Sequence, residues 1–454
     1  MNYPVWEPFI LGGGLVIGII ATLHVFISHF AVGGGLFLAL TERKAYRDHN
    51  SALLEYVKFH SKFFVLVTLV LGAVSGVGVW WGISLVNPEA TATLIHVFVW
   101  GWAIEWVFFI VEIAAAFIYY YGWDRLDAKM HLRVGWIYFG AAWASLLVIN
   151  GILTFMLTPG RWLQTQTFAA AFFNPGMLPS LVVRTAVCIT LAGVYALITS
   201  CAVRDVSLRV AVVPYAAKWL LLGALVIPFA GIWYISTLPP MAREISMGGA
   251  PAVTMLAGFS IFFSALVMVF TYFGALQRPR QFNLAFALLI AVLALFTTAV
   301  TEWVREGVRK PYVIYGYMYS NGLRLADVER VRGEGVLKSA RWVRHHNLDP
   351  QDLQSAGQEI YRVQCASCHT VDGYNSIRLA VKGWSWAMID YQLDHLSSLK
   401  GFMPAFVGTD AERQALGAWL ASLNPPPASI SIEPEAAALD IRSRDAIGKG
   451  APQP

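Results

Sequence analysis

Charge is scarce in this sequence: only 13% of its 454 residues are Asp, Glu, Lys or Arg, and the mean hydropathy is +0.56. A soluble domain carries roughly 25% charged residues, so a wholly soluble protein is excluded. Cysteine is nearly absent, at four residues, which excludes a disulfide framework. Cys188 and Cys201 fall in an apolar run and read as inert core residues. Histidine is missing between His131 and His345. A basic leader is missing too. The first apolar run is about 32 residues long and contains His24 and His29, so it reads as a membrane helix rather than a cleavable signal. The net charge of +5 marks no nucleic-acid partner; the placement of the positive charges matters more than their sum.

What is present is a series of eight apolar runs, at about 9–40, 63–86, 93–121, 134–158, 180–203, 211–237, 252–276 and 283–304. Each is long enough to span a bilayer. From about residue 321 the runs stop and charge returns. The expected fold is all-α: a polytopic bundle over 1–320, a linker over 321–352, a soluble domain over 353–424 and an extended tail over 425–454. The first loop carries Arg43, Lys44, Arg47, Lys58 and Lys62, and the third, fifth and seventh add Arg125, Lys129, Arg133, Arg204, Arg209, Arg278 and Arg280. The even loops hold only Arg161 and Arg243. Positive loops stay cytoplasmic, so both termini are expected on the outer side of a bacterial inner membrane.

The other two cysteines, Cys365 and Cys368, lie in YRVQCASCHT, followed at once by His369. Cys-x-x-Cys-His is the attachment signature of a covalent haem c. A zinc site would need a second cysteine pair, and there is none. Haem c is attached outside the bacterial cytoplasm, where the charge count independently puts this domain. His369 is the expected proximal ligand. Met403, in GFMPAF, is the expected sixth ligand, with His395 as the alternative. Helical patterns over 351–364 and 410–423, the second with Asp410 as N-cap, complete an arrangement that resembles a class I cytochrome c. The basic linker reads as a solvated connector.

Ionisable groups inside the spans are costly and therefore functional candidates. His24 lies in the first helix. Glu105 and Glu112 lie on one face of the third, two turns apart, placed to form a proton ladder or to supply an iron ligand. Glu306 and Arg309 share a face at the end of the eighth, in TEWVREGVRKPY. Glycines at 12–14 and 33–35 suit close helix packing, with a partner or within the chain.

His24, IEWVFFIVE running into YGWDRL, the Asn-Gly pair at 150–151 and REGVRKPY together resemble subunit I of the cytochrome bd oxidases, over about residues 1–315. That resemblance implies two high-spin haems, b or d, reducing oxygen to water near the outer surface. It implies His24 and Glu306 as axial ligands, Glu105 and Glu112 on the proton path or close to iron, and Arg309 on a propionate. It also implies a second, similarly folded membrane subunit.

The departures from the family are equally specific. Its low-spin haem b uses a fifth-helix histidine and a seventh-helix methionine. Met255 fits the second, but Arg184 stands where the histidine is expected. Arginine does not ligate iron, though it can hold a propionate, so a low-spin haem b is left in doubt. His29 and His96 are spare. The family's long quinol-binding outer loop is here only about 238–251. The expected function is therefore a bd-like terminal oxidase. It takes electrons from a cytochrome c or another outer-side donor through its own haem c. The alternative is a haem-bearing electron-transfer subunit, linking the quinone pool to cytochrome c without oxygen chemistry.

Overall fold

The computed structural model describes residues 5–8, 10–320 and 322–424; the expected tail, 425–454, lies outside them. Among these residues, eight helices are long and apolar enough to cross a membrane. They are α1 (Gly12–Arg47), α2 (Ser51–Val86), α3 (Val99–Tyr121), α4 (Ala128–Phe155), α5 (Met177–Ser200), α6 (Val206–Thr237), α7 (Pro251–Leu276) and α8 (Leu284–Arg309).

Several helices run past their apolar stretches, because helical hydrogen bonding does not end where hydrophobicity does. α2 begins at Ser51, where the side chain of Asn50 accepts the Leu53 amide at 2.8 Å. Lys58 and Lys62, expected in the first loop, therefore lie on the helix. The 93–121 run is divided: a short helix, Pro88–Val97, precedes α3. α8 continues to Arg309, so Glu306 and Arg309 both lie in its closing turns.

α5 is the most enclosed span and α7 the least. Close approach around α5 depends on glycine. A Cβ on Gly33 would lie 1.9 Å from the Cys188 carbonyl oxygen of α5, and one on Gly223 of α6 would lie 2.4 Å from the Ala186 carbonyl oxygen. Without a hydrophobic drive between helices in lipid, such backbone contact is what binds spans together. The glycines at 33–35 thus pack within the chain, against Cys188, Phe64 and Tyr138. Asn150 ties α4 to α5, donating to the Met177 carbonyl at 2.7 Å and accepting from Ser180 at 2.7 Å.

The C-terminal domain is built on α9 (Leu353–Gln364), α10 (Trp386–Asp394) and α11 (Asp410–Ser422). Its core includes Ile360, Tyr361, Ile389, Leu393, Leu416 and Trp419, each worth roughly 1.5–3 kcal/mol on burial. The N-cap of α11 is Thr409, not Asp410. Thr409 Oγ1 accepts the Glu412 amide at 3.3 Å and Glu412 returns the bond to the Thr409 amide at 3.0 Å. This reciprocal box satisfies two otherwise unpaired donors, which Asp410 one residue later does not.

Nor is the 321–352 stretch a solvated connector. A two-stranded ribbon, β1 (Met318–Ser320) and β2 (Leu323–Arg324), leads into a buried cluster of Leu323, Val328, Val331, Val336 and Val407. Glu412 accepts the Val336 and Leu337 amides at 2.8 and 2.9 Å. Arg324 reaches Glu89 on the membrane bundle at 3.3 Å.

Candidate functional site

The two thiols of CASCH are free and half-buried, one turn beyond the end of α9. Burial pushes the Cys365 thiol up to about 12. His369 Nδ1 points at the Asn375 carbonyl at 3.2 Å, and that carbonyl can only accept. Nδ1 therefore carries the proton and Nε2 keeps its lone pair, the state an iron ligand needs. Burial also holds the imidazole below its ordinary range. Met403 is half-buried, with its amide bonded to the Lys400 carbonyl at 2.8 Å. His395 is stacked on Tyr391 at 4.2 Å with Nδ1 at the Tyr391 carbonyl, which leaves its Nε2 free as well. Met388 is exposed.

Inside the bundle the same logic applies to His24 of α1. Ser75 Oγ donates to the Leu71 carbonyl at 2.7 Å, where a π-helical turn, Leu66–Gly72, widens α2. With its hydrogen committed, Ser75 Oγ accepts from His24 Nδ1 at 3.2 Å, and Nε2 is again left free. His24 and Glu306 are not brought together. Glu306 lies beside Gly14, which is ten residues from His24 along α1, or about 15 Å. The two side chains therefore lie too far apart to share one metal ion.

Between these depths lie groups that the sequence reading passed over. Glu302 is buried and forms an ion pair with Arg305; Arg305 Nε is buried without a partner. Arg184, from α5, lies within electrostatic range of Glu302, Arg305 and Tyr234, yet makes no hydrogen bond or ion pair among the described residues. Arg309 touches Glu306 at 3.8 Å and Met156 Sδ at 3.6 Å. Three arginines thus face two carboxylates, which leaves Arg184 without an ion-pair partner among the described residues, and a buried cation in a membrane calls for an anion. The signal for Glu302 and Arg305 was available: Glu-x-x-Arg occurs twice in TEWVREGVR, four residues apart. Met255 is exposed on α7 and shares no hydrogen bond with Arg184. His29 and His96 each bond the carbonyl four residues earlier, Val25 and Ala92, through Nδ1.

Glu105 accepts from Ser145 at 2.9 Å and Glu112 from Tyr138 at 3.0 Å, so both are held by α4.

The haem-attachment loop is seated on the bundle. Lys310, just past α8, donates to the Ser367 carbonyl inside CASCH at 2.9 Å and lies 3.3 Å from Glu306. Trp303 donates to the Tyr374 hydroxyl at 3.1 Å. The Tyr374 amide bonds the Ile10 carbonyl at 2.8 Å, and Gly373 rests on the Ile10 backbone with no room for a Cβ. Arg362 approaches Glu7 at 3.6 Å; burial raises that carboxyl above its ordinary range, and the guanidinium partly offsets the rise. The methionine loop is seated as well. Phe402 packs on Leu157, Leu238, Ala242, Ile245 and Val308, and Tyr319 donates to the Ala405 carbonyl at 2.9 Å. The short segment between α6 and α7 forms part of that seat.

The family described as cytochrome bd terminal oxidase subunit I matches residues 15–238. The membrane bundle belongs to the cytochrome bd oxidase subunit I family. The matched stretch of this bd-type bundle includes His24, Glu105, Glu112 and Arg184 and stops before Met255, Glu306 and Arg309. The family described as cytochrome c oxidase, cbb3-type, subunit III matches residues 352–420, which form the cytochrome c domain. The bd oxidase structure from Geobacillus thermodenitrificans aligns with a TM-score of 0.59 at 17% identity, covering 71% of this chain and 94% of that one. At that identity the likeness is one of fold. No curated protein matches the chain. Both families are haem proteins, so the bd-type bundle and its cytochrome c domain are haem-binding parts of a membrane-spanning oxidoreductase.

Proposed function

We propose that this chain is subunit I of a bd-like terminal oxidase that reduces oxygen to water and receives its electrons through its own cytochrome c domain. The observation that carries the proposal is the seat of CASCH on the end of α8, where Lys310 joins the Ser367 carbonyl to Glu306. A domain merely tethered for a separate task has no reason to bury its haem-attachment loop on the turn bearing a proposed iron ligand.

When bound, a covalent haem c and a pair of high-spin haems, b or d, supply the redox chemistry. The chain's residues supply the rest. Cys365 and Cys368 would hold haem c covalently, and His369 and Met403 would bind its iron. His24 and Glu306 would bind iron in the bundle. Arg184, Arg305 and Arg309 would offset the charge of propionates. Glu112 and Glu105 pass protons inward from the cytoplasmic side. The segment between α6 and α7, short and occupied by Phe402, leaves no quinol-binding loop, and this favours an outer-side cytochrome c or similar donor. The absent fifth-helix histidine favours loss of the low-spin haem b. bd oxidases typically pair subunit I with a second membrane subunit, and the exposed apolar face of α7 (Met255, Phe259, Ile261, Phe262) offers it a surface. Both termini are assigned to the periplasmic side of an inner membrane.

The test is oxygen uptake by the purified complex with haem c held reduced by an artificial donor. Rapid uptake that is lost in His24→Ala supports the proposal. No uptake despite reduced haem c and bound membrane haems overturns it in favour of an electron-transfer subunit.

A further inference from the structure

The pairs Glu105–Ser145 and Glu112–Tyr138 continue into a third. α3 presents residues 105, 112 and 119, and α4 presents 145, 138 and 131, each set seven apart and running in opposite directions. At the third level His131 Nε2 bonds the Tyr119 carbonyl at 2.9 Å, His131 Nδ1 lies 2.8 Å from Glu42 Oε1, and the Tyr119 hydroxyl donates to Glu42 Oε2 at 2.8 Å. Glu42 comes from α1, and Glu42 and His131 are both buried. Successive levels lie about 10 Å apart, and the third is at the end of the bundle that carries the basic loops.

The hydrogen-bond inventory fixes what this cluster holds. The Tyr119 carbonyl only accepts, so Nε2 carries a proton. The contact between Nδ1 and Oε1 then requires a second proton between imidazole and carboxylate, as imidazolium with carboxylate or as imidazole with carboxylic acid. The groups facing it are Tyr46 from α1, Tyr119 from α3, and the Trp123 ring 4.1 Å from the imidazole; Trp123 is held in turn by Ser61 of α2. Among the described residues no lysine or arginine pairs with Glu42. A buried ion pair adds little stability over an apolar substitute, which leaves its continuation of the carboxylate stripe to be explained.

We propose that Glu42 and His131 form the proton-loading site at the cytoplasmic mouth of the Glu112–Glu105 ladder. This rests on the proposed oxygen chemistry, which consumes protons. A proton taken from the cytoplasm is held between His131 and Glu42 and moves on to Glu112, with water carrying it between levels. Reprotonation from the cytoplasm resets the pair.

The experiment uses the purified complex, reduced and then mixed with oxygen in weak buffer with a pH-indicator dye. In Glu42→Gln and His131→Gln, proton uptake and oxygen turnover slow roughly tenfold or more. Anaerobic electron transfer from haem c to the membrane haems is unchanged, and Glu42→Asp restores most of the rate. Wild-type proton uptake in variants with full haem content overturns the proposal. If the Gln variants do not assemble, reduced-minus-oxidised infrared spectra of the wild type and Glu42→Asp decide: a carboxyl band that shifts in Glu42→Asp supports the site, and its absence overturns it. A wild type that consumes no oxygen counts against the oxidase reading, while the infrared result still judges the cluster.

Discussion

In the cytochrome c domain, two thiols and the His369 imidazole lie within five consecutive residues, directly after α9. In the bundle the candidate groups come from α1, α2, α5 and α8 and take their places only when those helices pack. The first region is a local motif on a small core and tolerates change elsewhere. The second has no sequence of its own. It exists as a geometry, in which Arg184 is the cation left without an ion-pair partner among the described residues. In both His369 and His24, Nδ1 is committed to a protein oxygen and Nε2 is left free.

The largest effect expected from separating the two regions follows from Cys365→Ala with Cys368→Ala. Covalent haem is lost on a denaturing gel stained for haem, and donor-driven oxygen uptake falls to background while the bundle keeps its own haem spectrum. Loss of the bundle spectrum as well would show that the regions are not independently built. Next comes His24→Ala, which abolishes carbon monoxide binding by the reduced bundle and leaves the haem c spectrum intact. Lys310→Met tests the link between the regions. Both haem populations remain, and electron transfer between them, followed by stopped flow, slows roughly tenfold; an unchanged rate would reduce Lys310 to a surface contact. The smallest effect is that of Thr409→Ala, which removes one side of the α11 cap and costs the cytochrome c domain about 1 kcal/mol. It is seen as earlier melting of the haem c signal, with no change in the bundle.

This contrast also decides what the sequence discloses. CASCH is contiguous, and the eight spans are long apolar runs, so the haem-binding motif and the eight membrane helices are both readable from residue order. Glu302 and Arg305 escaped because attention to Glu306 and Arg309 used only one of two consecutive Glu-x-x-Arg patterns. Glu42 and His131 escaped for a different reason. Each seven-residue spacing is visible on its own helix, but the antiparallel register that sets 119 against 131 is a property of packing. The bond between Lys310 and Ser367 is further from legible, since nothing near either residue indicates the other.

The contact between Ile10 and Gly373 has a consequence of parity. The chain passes through eight spans between these two residues, and their backbones touch. Two points that touch outside the bilayer lie on one side of it, so the number of crossings between them is even. The touch counts crossings without reference to charge. A label on one residue reports the compartment of the other, and any rearrangement that added or removed a single crossing would pull the haem-attachment loop off its seat.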